Sequence, residues 1–187
     1  TPSPPCSTTA PNNPVLTATF TATLTDPWPT MDPLPLGPAA PRTPDAFVLV
    51  ELSGHPHLRL DLYRHPEEYR GFERAAPWHD RLVIGWGEHV HLVWPERRTH
   101  RTIPLHGAHF CGFELDDDRL YVASSERVLR VDPDGFVRWT SDPVGIDGVL
   151  IHRVTRETIE GDGERDPPGG WVPFTLHAGT GALLLTD

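Results

Sequence analysis

A shift of 38 residues lays one part of this chain over another. Asp80-Arg81-Leu82-Val83-Ile84-Gly85 falls on Asp118-Arg119-Leu120-Tyr121-Val122-Ala123, and the same shift puts Val90 on Val128, Val93 on Val131 and Pro95 on Pro133. Repetition at a fixed period means that each copy is one supersecondary unit, which buries its apolar face on a neighbour. The second copy shows what the unit is. Leu120 and Val122, then Val128 and Val131, lie in short β-prone runs separated by the polar turn Ser124-Ser125-Glu126. Asp132-Pro133-Asp134-Gly135 is a tight turn, with Pro presetting φ and Gly taking the left-handed position, and residues 136–139 open a further strand. The expected fold class is all-β: antiparallel meander repeats making a propeller-like partial sheet or a β-sandwich.

A third, diverged copy follows. Asp147-Gly148-Val149-Leu150-Ile151 echoes the opening strand, residues 174–176, the turn Gly179-Thr180-Gly181 and residues 182–185 echo the closing strands, and residues 160–171 form an insertion between them. The copies run near 80–117, 118–146 and 147–187, inside a single β-rich domain over 46–187. Upstream, residues 46–52 and 58–63 read as a hairpin joined through Ser53-Gly54-His55-Pro56, outside the repeat. The strand, turn, strand, Asp-Pro-Asp-Gly, strand, Trp order of 118–139 resembles a blade of a quinoprotein-type or WD-type β-propeller. The resemblance spans 80–187 and implies sheets arranged one after another. It brings no quinone cofactor, since no ligand residue of that site is identifiable. Closure takes at least about four blades, so three copies imply a partial array.

Residues 1–45 differ in kind. Pro, Thr and Ser supply 18 of the first 30 residues, and Asp26 is the single charge there. Such a composition buries too little apolar surface to offset chain entropy, so 1–45 reads as a disordered Pro/Thr-rich leader. Met31 is the sole Met, and residues 1–30 are read as sequence upstream of a natural start there. One segment competes with that reading: from Val15 to Leu24 apolar residues alternate with Thr, the period of a half-buried edge strand.

The least ordinary stretch is Ile159-Glu160-Gly161-Asp162-Gly163-Glu164-Arg165-Asp166-Pro167-Pro168-Gly169-Gly170-Trp171. Asp162, Glu164 and Asp166 alternate as the oxygen ligands of a Ca²⁺ loop do, and Trp171 can anchor a loop by burial. These four are the candidate ligand-binding residues. The competing structural role, which is favoured, is a capped rigid turn. The stretch is similar to a motif of uncharacterised bacterial proteins, Gly-x-Gly-Glu-x-Asp-Pro-Pro-Gly-Gly-Trp, and the match runs back to Ile146-Asp147-Gly148-Val149 and on to Phe174. Arg165 stands where that family has Trp. The resemblance implies a shape and no activity.

Eleven His include three close pairs, His55/His57, His89/His91 and His106/His109. Residues two apart on a strand face one side, so His89 and His91 are the core pair of a candidate metal site, with His106 or His109 as third ligand. Glu96 completes the outline of a cupin motif, but Val83 and Ile103 occupy the positions that cupins give to Gly. Surface His alternating with Val is more often solvated than ligating. No Gly-x-Ser-x-Gly elbow surrounds Ser124 or Ser125, Cys111 lies in an apolar setting, and a Cys6–Cys111 disulfide would require an oxidising compartment. No catalytic residue and no cofactor are assigned.

Acidic balance, 26 Asp and Glu against 16 Arg with no Lys, argues against a nucleic-acid backbone as partner. No apolar run approaches the ~20 residues of a membrane-spanning helix. The leading expectation is a non-enzymatic acidic β-domain that binds another protein, with Trp78, Trp86, Trp94 and Trp139 as candidate contacts. An immunity partner of a basic toxin or nuclease fits that charge. The alternatives are a metal-binding protein or metal-dependent enzyme using the paired His, and a structural module of a homo-oligomer whose chains complete the sheet. All-Arg usage fits a bacterial source, and the cytoplasm is the simplest placement.

Overall fold

Strand β6, Arg81–Trp86, is buried on both faces, and this accounts for the repeat. Leu82, Ile84 and Trp86 belong to one apolar cluster and Val83 to another. A strand covered on both sides reads as a continuous apolar run rather than an alternation. β10, Arg119–Ser124, behaves in the same way: Leu120 and Val122 face one layer, Tyr121 and Ala123 the next. Residues 15–38, 42–65, 67–69, 71–166 and 170–184 of the chain are described by a computed structural model.

β6 and β10 are the second strands of two adjacent antiparallel meanders. One is β5 (Glu73–Trp78), β6, β7 (His89–Trp94) and β8 (Thr99–Pro104). The other is β9 (Phe110–Asp116), β10, β11 (Val128–Val131) and β12 (Val137–Thr140). Before them, β1 (Leu16–Thr21), β3 (Ala46–Leu52), β4 (His55–Leu62) and β2 (Pro33–Leu36) make a sheet of order β1-β3-β4-β2, in which β2 runs parallel to β4. After them, β13 (Val149–Val154), β14 (Thr158–Glu164) and β15 (Trp171–His177) form a three-stranded meander, and Leu183 bridges back to Leu176 where the other meanders have a fourth strand.

Three apolar layers hold the four sheets in chain order. Val48, Val50, Leu58 and Leu60 of the first sheet meet Leu82, Ile84 and Val93 of the second. Val83, Val90 and Leu92 meet Phe110, Phe113, Leu120 and Val131 of the third. Tyr121, Ala123 and Val128 meet Val149, Ile159, Phe174 and Leu176 of the fourth. Among the described residues no buried cluster joins the first sheet to the fourth, so the protein is an all-β stack of four sheets without a closed barrel. No helix among them is long and apolar enough to cross a membrane.

Charged side chains cross the layers. Arg81 lies between the rings of Trp78 and Trp94, 5.6 and 5.4 Å from their centroids, and donates to the Pro133 carbonyl in the Asp132–Gly135 turn of the next sheet. Arg74 stacks 4.5 Å over Phe113 and pairs with Glu114 at 3.1 Å. A planar guanidinium can stack and donate at once, which an ammonium cannot.

Several expectations are corrected. The leader reading fails over 15–38, because Leu16, Ala18 and Phe20 of β1 pack on the first layer and β1 pairs with β3 from Leu16↔Leu52 to Thr21↔Phe47. A turn at Trp28–Thr30 then covers the other side of this sheet. Arg59, which alternates with the inward Leu58 and Leu60, donates to the carbonyls of Trp28 and Pro29 at 3.0 and 3.1 Å and grips Asp61 with two bonds. The repeat frame is shifted by one strand, since the sheets begin at β5, β9 and β13. Residues 147–151 therefore match a first strand, and the counterpart of residues 80–85 is β14. The inserted loop over 160–171 is instead a hairpin, with Thr158–Glu164 paired to Trp171–His177. Pro167, Pro168 and Gly169 of the motif, and Cys6, lie outside the described residues.

Candidate functional site

β14 carries the motif, and its two glycines are packing requirements. Ile159, Gly161 and Gly163 face the third layer. A Cβ on Gly161 would overlap the Leu150 carbonyl oxygen, and one on Gly163 would overlap the carbonyl of Val144, in the segment crossing from the third sheet. The acidic residues between them point to the opposite face. There the register sets Asp162 between Leu150 and Pro173, and Glu164 beside Trp171. Trp171 lies over Gly148, where a Cβ would come within 2.9 Å of its ring. Trp171 and Leu150 nonetheless remain 42% and 43% exposed, against 4% for Trp78 and Trp86.

This outer face of the fourth sheet is acidic along its central strand and apolar on the strands to either side. Asp162 accepts from His152 Nε2 at 2.8 Å, and Glu160 lies 3.8 Å from Arg153. Asp166 is at the hairpin tip, where its carbonyl accepts the Gly170 N–H at 2.9 Å. Asp162 and Glu164 alternate along an extended strand, roughly 6.6 Å apart at their Cα atoms. Among the described residues, Asp162, Glu164 and Asp166 do not form a group of three ligand atoms close enough to hold an ion. The arrangement therefore lacks the convergence of a Ca²⁺ loop. What it offers is a row of carboxylates with apolar side chains on either side.

The aromatic contacts proposed from sequence divide otherwise. Trp78 and Trp86 are buried, and Trp94 and Trp139 pack against the second and third layers. Their rings close the ends of the apolar layers, so they belong to the core. The exposed indole is that of Trp171, which the sequence marks as an anchor by burial; it packs over Gly148 but stays 42% exposed on a face that no other described element covers.

The four His of the proposed metal site do not come together. His91 is fully buried, its Nδ1 lies 2.9 Å from Thr102 Oγ1, and burial, helped by the neighbouring His89 and His100, pushes its pKa down to about 3. His109 stacks on Tyr69 with ring centroids 4.7 Å apart, and burial lowers its pKa. His106 sits in a turn with φ near 55°. His89 stacks beside His91, with ring centroids 6.0 Å apart, but engages other partners. Its Nδ1 is 3.0 Å from Glu68 Oε1, and its ring centroid is 5.8 Å from that of His65. Burial is the main influence lowering its pKa, against the opposing pull of Glu68. His65 and Glu68 belong to the connection between β4 and β5. Nothing local marks them, because their common partner is brought in by the turn between β6 and β7. Cys111 is a half-buried thiol whose pKa burial raises, in keeping with a small apolar residue.

Compared with known proteins, the chain matches no protein-family model and no curated protein.

Proposed function

We propose that this chain is a non-enzymatic protein-binding domain, and that the outer face of the fourth sheet receives the partner. The observation that carries this is the difference between the two ends of the stack. The first sheet has its outer side covered by the Trp28 turn, fixed by Arg59, whereas the fourth presents Trp171 and Leu150. A half-exposed indole loses little side-chain entropy on contact, which is why Trp dominates interface hot spots. Glu160, Asp162 and Glu164 along the central strand of this face, in a chain of net charge −10, select a partner with a basic centre flanked by apolar contacts. An immunity partner of a basic toxin fits this description, and the four sheets in chain order suit a propeller-like array open at this end.

The test uses the full chain, immobilised, against extract of the source cell at low and physiological salt. A partner retained one-to-one is expected, with slowed deuterium uptake in β14 and β15. Trp171→Ser should weaken retention at least about tenfold, the ordinary loss for a central aromatic contact, while leaving the melting temperature within a few degrees. Retention unchanged by Trp171→Ser, or protection confined to other strands, would reject this face.

A further inference from the structure

We propose that His65, Glu68 and His89 form a binding site for a divalent transition-metal ion, with zinc the best match to two imidazoles and one carboxylate. One ligand atom from each residue lies within 4.8 Å of the others. The three come from two elements of different character. His89 opens β7 and is held by pairing on both sides, to Trp86 and to Pro104. Glu68 and His65 belong to the connection that leaves the first sheet, and a hydrogen bond folds it upon itself: the His65 N–H donates to Glu68 Oε2 at 3.0 Å. That bond engages one carboxylate oxygen and leaves the other, Oε1, toward His89.

The surroundings fit an ion better than a simple pair. The Glu68 side chain is only 8% exposed although it lies in a surface connection, and a carboxylate so enclosed is stabilised by a cation beside it. The Arg64 guanidinium lies 5.6 Å over the Trp86 ring and 3.7 Å from Asp45, and among the described residues it makes no bond to Glu68. Gly87, with φ near 60°, forms the wall; a Cβ there would stand 3.3 Å from Glu68 Oε2. Two imidazoles that face one carboxylate with their rings 5.8 Å apart can share one ion. Three protein ligands leave further coordination positions for water. The site is distinct from the protein-binding face: one lies between the first two sheets, the other on the fourth.

Zinc alone is the probe. The metal-stripped full chain is titrated with Zn²⁺ against a chromophoric chelator, and Co²⁺ substitution reports the ligand field by its visible absorption. One equivalent is expected, with a rise in melting temperature that a chelator reverses. Glu68→Gln and His65→Ala should each weaken binding at least about tenfold, as expected when a ligand is lost, and His106→Ala should not. His65 is exposed, so its variant folds even if Glu68→Gln does not. Folded protein that binds no zinc at micromolar concentration overturns the site and leaves a His–Glu contact alone. Binding retained in both variants, or abolished by His106→Ala alone, overturns it as well.

Discussion

Burying an imidazole without a counter-charge fixes its protonation. His91 faces a core layer, its Nδ1 is engaged by Thr102, and the titratable rings nearest it, His89 and His100, repel a proton on it. Its pKa falls from 6.5 to about 3. In the unfolded chain it takes up a proton as pH drops below about 6.5, while in the folded chain it stays neutral until near 3. The unfolded state then binds the extra proton, so this residue lowers stability as pH falls, by about 1.4 kcal/mol per pH unit across that window. Above 6.5 it has no effect. Chemical denaturation of the chelator-treated protein from pH 8 to 4 is expected to show this slope, with His91→Gln shallower by about one proton. An identical slope in the variant would show that His91 is protonated in the fold.

At the scale of the strand, glycine acts in two opposite ways. Gly112 in β9 has open space where a Cβ would go, and its backbone is not in the left-handed region. Gly112→Ala is therefore expected to stabilise by about 0.4–1 kcal/mol, through the unfolded chain. Gly163→Ala must push the Val144 segment off β14 and is expected to cost about 1–3 kcal/mol, the range for overpacking. Equal midpoints for the two variants in urea would refute the packing role. This contrast also explains what could be read from residues alone. β6 and β10 stood out as a repeat because burial on both faces makes each a continuous apolar run. β3 and β14, at the ends of the stack, bury one face and so lack that resemblance. In β14 the Gly-x-Gly spacing imitates a turn, although its cause is a neighbouring backbone passing close by. Trp171 and the carboxylates were visible as an unusual stretch, but their common face depends on pairing with β13 and β15. His65 and Glu68 carried no signal, since only the fold brings His89 to them.

Stability in a stack is a sum of sheets and the layers between them, because each sheet touches only its neighbours. The second and third sheets each have two layers, and the first and fourth each have one. The Trp28 turn partly compensates the first sheet by tying down Arg59 and Asp61. The fourth has no such cover among its described residues and should open at the lowest free energy. Amide hydrogen exchange followed by mass spectrometry is expected to rank β6, β7, β10 and β11 slowest and β13 to β15 fastest. Phe174→Ala, at the layer between the third and fourth sheets, should cost about 3–5 kcal/mol locally and expose β13 to β15 while β5 to β8 keep their protection. Phe113→Ala, between the second and third sheets, should loosen both neighbours. If Phe174→Ala instead accelerated exchange equally in every strand, the four sheets would be one cooperative unit rather than a stack. The partner-binding face makes the same ordering useful. The sheet that opens most readily is the one offered for contact, so a bound partner should slow exchange there most and leave the central sheets unchanged.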